Sequence, residues 1–196
     1  MESEQVFFSI IIPTYNRAAL IYKTIQSILV QGKSSFEVII VDDGGTDDTF
    51  KIVEAINDSR IIYTRTKNGE RGAARNHGLN FAIGQYILYF DSDDLLNDCV
   101  VDVSEFILKR SFPEVVYGME ENISAEYNTA EIVRPAYQSF KHSILHNNFL
   151  ACGSVFLKKN IAVDYPFSED RSLSGTEDWE LWLRLFTDIE FIYCPV

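Results

Sequence analysis

The sequence is poor in features that mark several common protein classes. Its three cysteines, Cys99, Cys152 and Cys194, lie far apart and fit neither a zinc site nor a disulfide framework. We therefore expect them to be small core residues in a reducing compartment. No apolar run approaches the ~18 residues of a membrane-spanning helix. The first residues lack the basic start and apolar stretch of a signal peptide, so we expect a cytoplasmic protein.

Positive charge is also scarce. Lys and Arg number 17 against 29 Asp and Glu, which gives a formal net charge of −12. An acidic chain repels phosphate backbones, which argues against nucleic acid as a partner. The same charge gives no electrostatic attraction to anionic lipids. With 46% hydrophobic residues in 196, the chain is sufficient for one well-buried domain over residues 1–196.

Short apolar runs alternate with helical patterns through the first half of the chain. The predicted strands are 9–12, 37–41, 61–64 and 86–90; the third predicted helix is 73–83, and the fourth runs from Leu96 to Ile107. We expect Thr46 to cap the second helix, with Asp47 and Asp48 in its first turn. This alternation predicts an α/β fold with a mostly parallel central sheet and helices on both faces.

The second half of the chain is less regular. Strands are predicted at 115–117, 153–157 and 191–194, and helices at 136–148 and 177–186. Residues 119–135 fit neither pattern. Because the chain ends directly after the last predicted strand, we expect that a C-terminal segment is missing.

Polar clusters follow three of the predicted parallel strands. They are Pro13–Arg17, Asp42–Asp47 and Asp91–Asp94. Ligands of an open parallel sheet bind outside the carboxyl ends of its strands, so the three clusters meet at one edge. Carboxylates gathered in one crevice repel each other unless a cation lies among them. The sequence therefore predicts a site for Mg²⁺ or Mn²⁺, which bind carboxylates together with substrate phosphates.

Each cluster also has a plainer interpretation. Asp42–Gly44 fits a simple turn with a helix cap, and Asp91–Asp94 fits a solvated loop. A calcium loop is excluded at Asp91–Asp94, because Leu95 and Leu96 occupy positions that need an oxygen ligand and a glycine. The chain has no phosphate-binding Gly-Lys-Ser/Thr loop and no Gly-x-Gly-x-x-Gly after the first strand. P-loop hydrolysis and dinucleotide redox chemistry are therefore disfavoured.

Taken together, the motifs resemble those of the family 2 glycosyltransferases, which have the GT-A fold, a Rossmann-like single domain. The matching segments are Ser9–Asn16, Val41–Asp47, Arg71–Asn76, Asp91–Asp94 and Gly175–Trp179. Their order and spacing agree over residues 9–184, and five motifs in order are a specific signal. One departure is Gly45, where the family more often has Ser; since glycine keeps the turn, we expect little effect.

The resemblance implies that residues 1–112 form a nucleotide-sugar-binding half. Asp43 would accept a hydrogen bond from the base, which favours uracil and hence a UDP-sugar, and Arg71 or Arg75 would face the diphosphate. Asp93 would bind Mg²⁺ or Mn²⁺, while Asp91 would contact the ribose or sugar or act as a second metal ligand. The implied donor-binding residues are Pro13, Thr14, Tyr15, Asn16, Asp43, Arg71, Arg75, Asp91 and Ser92.

The resemblance also implies an acceptor-binding half at residues 113–196, with 119–150 expected to line it. Asp178 aligns with the general base, and Glu177 and Trp179 would contact the acceptor. The implied activity is inverting, metal-dependent transfer of a sugar to a hydroxyl of a glycan or lipid-linked acceptor in cell-surface polysaccharide synthesis. A lipid-linked acceptor would bring the enzyme to the inner face of the membrane.

Other interpretations stay open at this point. The chain could be a non-catalytic nucleotide-sugar-binding scaffold of the same fold. A nucleotidyltransferase is disfavoured, because Pro13–Asn16 stands where that class has a Gly-rich and basic loop. Trp179 could lie on the packed face of the last helix together with Trp182, Leu183 and Phe186 rather than contact an acceptor. The sequence does not specify the oligomeric state.

Overall fold

The computed structural model describes residues 6–31, 35–124, 129–133 and 140–195. In the first half, strands and helices alternate: β1 (Phe8–Thr14), α1 (Ile21–Leu29), β2 (Phe36–Asp42), α2 (Thr49–Ile56), β3 (Ile61–Arg65), α3 (Glu70–Leu79), β4 (Tyr86–Tyr89) and α4 (Val100–Lys109). The second half contains β5 (Val115–Tyr117), β6 (Glu120–Ser124), β7 (Thr129–Val133), α5 (Phe140–His146), β8 (Val155–Lys158), α6 (Lys159–Asp164), α7 (Glu177–Asp188) and β9 (Phe191–Tyr193).

In the part of the chain that the structure describes, seven strands form the central sheet in the order β3-β2-β1-β4-β8-β5-β9. Strands β1 to β4 are parallel, and β9 is parallel to β5, whereas β8 runs antiparallel to both of its neighbours. This confirms the predicted α/β fold with a mostly parallel sheet. The strand order reverses between β1 and β4, which opens a crevice at their carboxyl ends. Strands β6 and β7 form a separate antiparallel hairpin.

The sheet separates two apolar cores. Ile10 and Ile12 of β1 pack toward α1 and α4, while Ile11 faces the opposite core, which includes α3 and α7. Strands β1, β2 and β4 are buried along their whole length. This burial explains their continuous apolar sequences, because a strand covered on both faces has no solvent-facing side. Within the described ranges, no helix is both long and apolar enough to cross a bilayer.

The helix boundaries differ from the sequence prediction where distant residues fix them. Helix α2 begins at Thr49, with Asp48 at the cap position, because the backbone N–H groups of Thr46 and Asp47 donate to Asn16 instead. Thr46 is therefore not the cap that we predicted. Helix α3 begins at Glu70, three residues before the predicted start, and ends at Leu79.

The second half contains elements that the sequence patterns did not indicate. The hairpin β6–β7 occupies part of the segment that fitted no pattern, and α6 follows β8 directly. Cys152–Ser154 forms a 3-10 turn, so β8 starts later than the strand predicted at 153–157. Helix α5 confirms part of the helix predicted at 136–148, whose first residues, 136–139, lie outside the described residues.

Candidate active site

A cavity of about 270 Å³ lies at the carboxyl edge of the parallel strands. Three strand-end loops, the start of α3 and the loop before α7 supply its lining: Pro13, Thr14, Tyr15, Arg17, Asp43, Asn68, Glu70, Arg71, Ala74, Asp91, Ser92, Asp93 and Ser174. The lining contains the predicted metal ligand Asp93 and every predicted donor-binding residue except Asn16 and Arg75. The three polar clusters therefore meet at one edge, as the sequence predicted.

The predicted donor contact Asn16 has a different position. Its backbone is left-handed, with φ 53°. Its Oδ1 accepts hydrogen bonds from the backbone N–H groups of Thr46 at 2.7 Å and Asp47 at 3.3 Å. Asn16 thus fixes the loop after β2 and does not line the cavity. A Cβ added to Gly45 would lie 3.1 Å from the Asn16 backbone nitrogen. The glycine therefore allows a close approach between the two loops, and the expectation that glycine in place of serine has little effect stays a prediction.

Asp43 is held rigidly at the cavity. It is buried, and its Oδ1 and Oδ2 accept the backbone N–H groups of Gly69 at 2.8 Å and Glu70 at 3.0 Å. Burial raises the pKa of the Asp43 carboxyl, and the two backbone hydrogen bonds oppose that shift. Glu70 has a φ of 72°, an unusual conformation for a residue with a side chain. Because each carboxylate oxygen has a second lone pair, Asp43 can still accept a bond from a ligand.

Thr14 belongs to the cavity lining, but its unpaired hydroxyl lies beneath the surface. The side chain is buried, and its Oγ1 has no hydrogen-bond partner among the residues that the structure describes. Leaving a buried polar group unpaired costs about 1–3 kcal/mol. Because the oxygen is covered by protein atoms, it is a cost of the fold and not a ready contact for a ligand in the cavity.

Charged groups of both signs surround the cavity. Arg17 and Asp93 form a partly exposed ion pair of 3.4 Å between Nη2 and Oδ2. Arg71, in the first turn of α3, lines the cavity beside the Asp43 loop. Asp91 contributes a carboxylate whose side chain is 37% exposed. The site therefore combines two open carboxylates with two cationic side chains, a set that suits a metal-bound diphosphate.

Arg75 lies behind the cavity, and its guanidinium is already occupied. Its Nη1 donates to Glu177 Oε1 at 2.9 Å and its Nη2 to Asp91 Oδ1 at 2.8 Å. Only 1% of the residue is exposed, and the guanidinium lies 5.0 Å from the centre of the Phe167 ring. Of the two arginines expected to face a diphosphate, the structure brings only Arg71 to the cavity surface.

Glu177 and Asp178 open α7 and differ sharply in their surroundings. Glu177 is buried, and its Oε2 accepts the backbone N–H of Gly175 at 2.7 Å. Burial alone would raise the pKa of Glu177, but backbone hydrogen bonds and the Arg75 charge together lower it. Glu177 is paired with Arg75 and does not line the 270 Å³ cavity, and the acceptor contact that the resemblance implies stays a prediction.

Asp178 is half-buried and lies outside the lining of the 270 Å³ cavity. Its Oδ2 accepts Asn148 Nδ2 at 3.1 Å, and its Oδ1 accepts the backbone N–H of Trp179 at 2.7 Å. Burial raises the pKa of Asp178, partly offset by these hydrogen bonds. The carboxylate is thus fixed in direction and has an increased affinity for a proton.

The two tryptophans of α7 act mainly in packing. Trp182 is fully buried, and its Nε1 donates to the carbonyl of Leu150 at 3.0 Å. Trp179 donates from Nε1 to the carbonyl of Ile144 at 2.7 Å, which joins α7 to α5. Trp179 also lines a second cavity of about 630 Å³ on the outer face of α7. The packing interpretation therefore holds for Trp182, whereas Trp179 is partly packed and partly open.

Several lining residues were missed by the sequence interpretation. Asn68, Glu70 and Ser174 were not singled out, and Arg17 was placed in the first polar cluster but given no role. Each directly follows or closely precedes a motif that we recognised, and this adjacency was the available signal. Arg171 does not line the cavity, but its Nη2 donates to the carbonyl of the lining residue Asn68 at 2.6 Å.

The carboxylates suit a metal that is only partly held by protein. Among the described residues, no three His, Cys, Asp or Glu side chains surround a common metal position. Mg²⁺ usually takes one or two protein carboxylates and completes its coordination with substrate phosphates and water. Asp91 and Asp93, together at the cavity surface, match that incomplete donor set.

Comparisons with known proteins agree with the motifs. The model of the family described as Glycosyl transferase family 2 matches residues 9–153. The chain is 34% identical over 188 residues to the UDP-Glc:alpha-D-GlcNAc-diphosphoundecaprenol beta-1,3-glucosyltransferase WfaP of Escherichia coli, covering 91% of this chain and 70% of that enzyme. It is also 41% identical over 106 residues to an uncharacterized glycosyltransferase of Rickettsia felis, covering 53% of this chain but only 18% of that protein.

Solved structures share the architecture. TarS 1–349 of S. aureus in complex with UDP superposes with a TM-score of 0.76 at 24% identity, covering 97% of this chain and 61% of that chain. The mannosyltransferase PcManGT from Pyrobaculum calidifontis, in complex with GDP-Man and Mn²⁺, gives a TM-score of 0.72 at 19% identity over 98% of this chain and 56% of that chain. The chain therefore spans less than two thirds of these solved relatives. From the family match, the identity to WfaP and the shared architecture, the chain belongs to glycosyl transferase family 2 and has the GT-A fold.

Proposed function

We propose that the protein is an inverting glycosyltransferase that moves a sugar from a UDP-sugar to a hydroxyl of a lipid-diphosphate-linked saccharide in cell-surface polysaccharide synthesis. The observation that carries this proposal is the cavity in which Asp43, Arg71, Asp91 and Asp93 converge from separate loops. WfaP is named for the transfer of glucose from UDP-Glc, with release of UDP, to a diphosphoundecaprenol-linked GlcNAc, and this supports the donor and acceptor classes.

The nucleoside would bind between the loops that follow β1 and β2. Asp43 is a fixed acceptor, and the imide N–H of uracil is a matching donor. Tyr15 lines the cavity with half of its surface exposed and offers an aromatic face to the base. Pro13, Thr14 and Ser92 line the same cavity and complete the donor contacts.

The diphosphate would lie against Arg71 and Arg17, whose charges favour the departing UDP. Asp93, with Asp91 as an additional ligand, would hold Mg²⁺ or Mn²⁺ at the diphosphate. When bound, such an ion neutralises charge on the leaving group and contributes several kcal/mol to the transition state. Chelation of divalent ions should therefore weaken UDP binding in calorimetry, and Asp93→Asn should abolish the difference between chelated and Mn²⁺-containing samples.

Asp178 would act as the general base. A sugar hydroxyl is a poor nucleophile, and a carboxylate that takes its proton typically contributes about 10²–10⁴ in rate. Attack opposite the departing UDP inverts the anomeric carbon. The hydrogen bonds from Asn148 and Trp179 orient the Asp178 carboxylate, and its raised pKa favours proton uptake.

The acceptor would bind to residues 113–196, next to Asp178. Within this proposal the enzyme acts in the cytoplasm at the inner face of the membrane, because the lipid part of such an acceptor lies in the bilayer. The division of the chain into a donor half at 1–112 and an acceptor half belongs to the same proposal.

The test compares the wild-type chain with Asp178→Asn and with the control Asp188→Asn at the other end of α7. The probes are UDP for calorimetry, UDP-glucose as donor, and a synthetic GlcNAc-diphosphate on an undecyl chain as acceptor. We expect a β-linked product from the wild type and the control. Asp178→Asn should bind UDP normally but lose about 10²–10⁴ in transfer rate.

Three results would contradict this assignment in different ways. Undiminished transfer by Asp178→Asn would exclude it as the base. Binding of UDP-glucose by the wild type without transfer or hydrolysis would favour the non-catalytic scaffold. Binding of another nucleotide in place of UDP would contradict the uracil assignment of Asp43.

A further inference from the structure

One buried guanidinium connects two regions of the proposed site. Arg75 lies on α3 and contacts Asp91 in the loop after β4 and Glu177 at the start of α7. Asp91 lines the donor cavity, whereas Glu177 directly precedes Asp178 on the same helix. A single side chain therefore connects Asp91, a carboxylate of the donor cavity, with α7, the helix that carries the proposed base.

The geometry of this contact depends on arginine. A guanidinium is planar and presents its donors in a fixed fork, so two carboxylates bound to Nη1 and Nη2 keep a defined separation. A lysine ammonium is a compact point charge on a flexible stem and cannot hold two partners in the same way. The distances of 2.9 and 2.8 Å show that both branches of the Arg75 fork are engaged at once.

Stability alone is a poor explanation for such an arrangement. Taking charges out of water is costly, and replacing a buried ion pair with apolar residues is often neutral or even stabilising. The side chains of Arg75 and Glu177 are only 2% and 7% exposed, so this cost applies to both. The contacts of Arg75 with Asp91 and Glu177 fix the orientation of Asp91 and of the first turn of α7. Apolar packing would not provide this orientation.

We infer that Arg75 is a positioning residue for sugar transfer, which sets the separation between the donor and the base through its simultaneous contacts with Asp91 and Glu177. This inference rests on the proposed function. A displacement of about 1 Å can cost ~10² in rate, because the reacting atoms must meet in a narrow range of geometry. Loss of either contact should therefore affect the chemical step more than nucleotide binding.

Two variants separate positioning from a purely structural role. Arg75→Lys retains the positive charge but reaches one carboxylate at a time, and Glu177→Gln weakens only the α7 side of the link. The matched controls are Arg184→Lys and Glu180→Gln. They alter a partly exposed ion pair on α7, the helix that carries Glu177. For each protein, the UDP dissociation constant, kcat for transfer from UDP-glucose to the GlcNAc-diphosphate-undecyl probe, and the melting temperature are measured.

We expect both test variants to bind UDP like the wild type and to lose about 10–100-fold in kcat, because a displacement of the reacting groups by up to about 1 Å costs as much as ~10² in rate. The controls should keep their kcat. A second readout does not need turnover: UDP should slow amide hydrogen exchange over residues 175–180 in the wild type but not in Arg75→Lys.

Wild-type kcat in both test variants would overturn the inference while leaving the proposed function intact. A parallel loss of UDP affinity and melting temperature, with kcat unchanged in the folded fraction, would assign Arg75 a structural role only. A wild-type chain that neither binds UDP nor transfers glucose would overturn the proposed function, and the inference with it.

Discussion

Removing the Arg75 side chain should reveal how strongly it is coupled to Glu177. Arg75→Met deletes the charge but retains much of the apolar volume, so Glu177 is left as a buried carboxylate without its cation. Breaking a buried pair from one side costs about 3–5 kcal/mol. At ~2–4 °C for each kcal/mol in a domain of this size, the melting temperature should fall by about 6–20 °C near neutral pH.

A double-mutant cycle tests whether this loss comes from the pair itself. In Arg75→Met/Glu177→Leu, both charges are absent, so the penalty for an unpaired carboxylate disappears. We expect the double variant to be less destabilised than the sum of the single variants by about 1–3 kcal/mol, the range for residues in direct contact. Additive losses in urea unfolding would refute the description of Arg75 and Glu177 as an energetically coupled pair.

The pH dependence gives an independent check with a defined sign. In the wild type, the pKa of Glu177 lies below its ordinary value of 4.5, because backbone hydrogen bonds and Arg75 outweigh burial. Its ionisation therefore stabilises the fold above that value, and the contribution is lost as the pH falls through the folded-state pKa. In Arg75→Met, burial should raise the pKa of Glu177, so the variant should recover stability as the carboxyl takes up a proton. A stability difference independent of pH would contradict this account.

Three further predictions concern single side chains. Burial raises the pKa of Asp178, so kcat should begin to decline with falling pH at a higher pH than it would with an ordinary aspartate as the base. For the same reason the ionised carboxylate does not stabilise the fold, and Asp178→Asn should unfold at pH 7 no more easily than the wild type. Thr14→Val should leave the melting temperature unchanged or raise it, because it removes a buried and unpaired hydroxyl, and it should leave UDP binding in calorimetry unchanged, because that hydroxyl is covered by protein atoms. Gly44→Ala should lower the free energy of unfolding by about 1 kcal/mol or more in urea titration, because Gly44 has a φ of 80°.

The strands were predictable because a strand that is buried on both faces has a continuous apolar run in its own local sequence. The central runs Ile10–Ile12 and Val38–Val41 are apolar at every position, as two covered faces require. The boundaries of α3 were not predictable in the same way. Its first residue is fixed by Asp43, 27 positions earlier in the chain, which accepts the Glu70 N–H. A start determined by such a distant partner leaves no local periodic signal.

The same distinction applies to the site. Residue types and strand ends were enough to predict that Asp43, Asp91 and Asp93 meet at one edge, because parallel strands deliver their carboxyl ends together. The directions of Asn16 and Arg75 were not accessible from the sequence. Each side chain bonds to a partner remote in sequence, Thr46 for Asn16 and Glu177 for Arg75, and neither residue lines the cavity.

Glu177 and Asp178 show why two adjacent carboxylates need not share a role. Glu177 accepts bonds from Arg75 and Gly175, which lower its pKa and keep it ionised and occupied. Asp178 lacks a contacting cation in the described part of the chain, and burial raises its pKa. Environments that drive the pKa values of neighbouring acids apart give the two groups different affinities for a proton and so suit them to different roles. This division favours Asp178 as the residue that accepts the proton and Glu177 as the one that holds α7 in place.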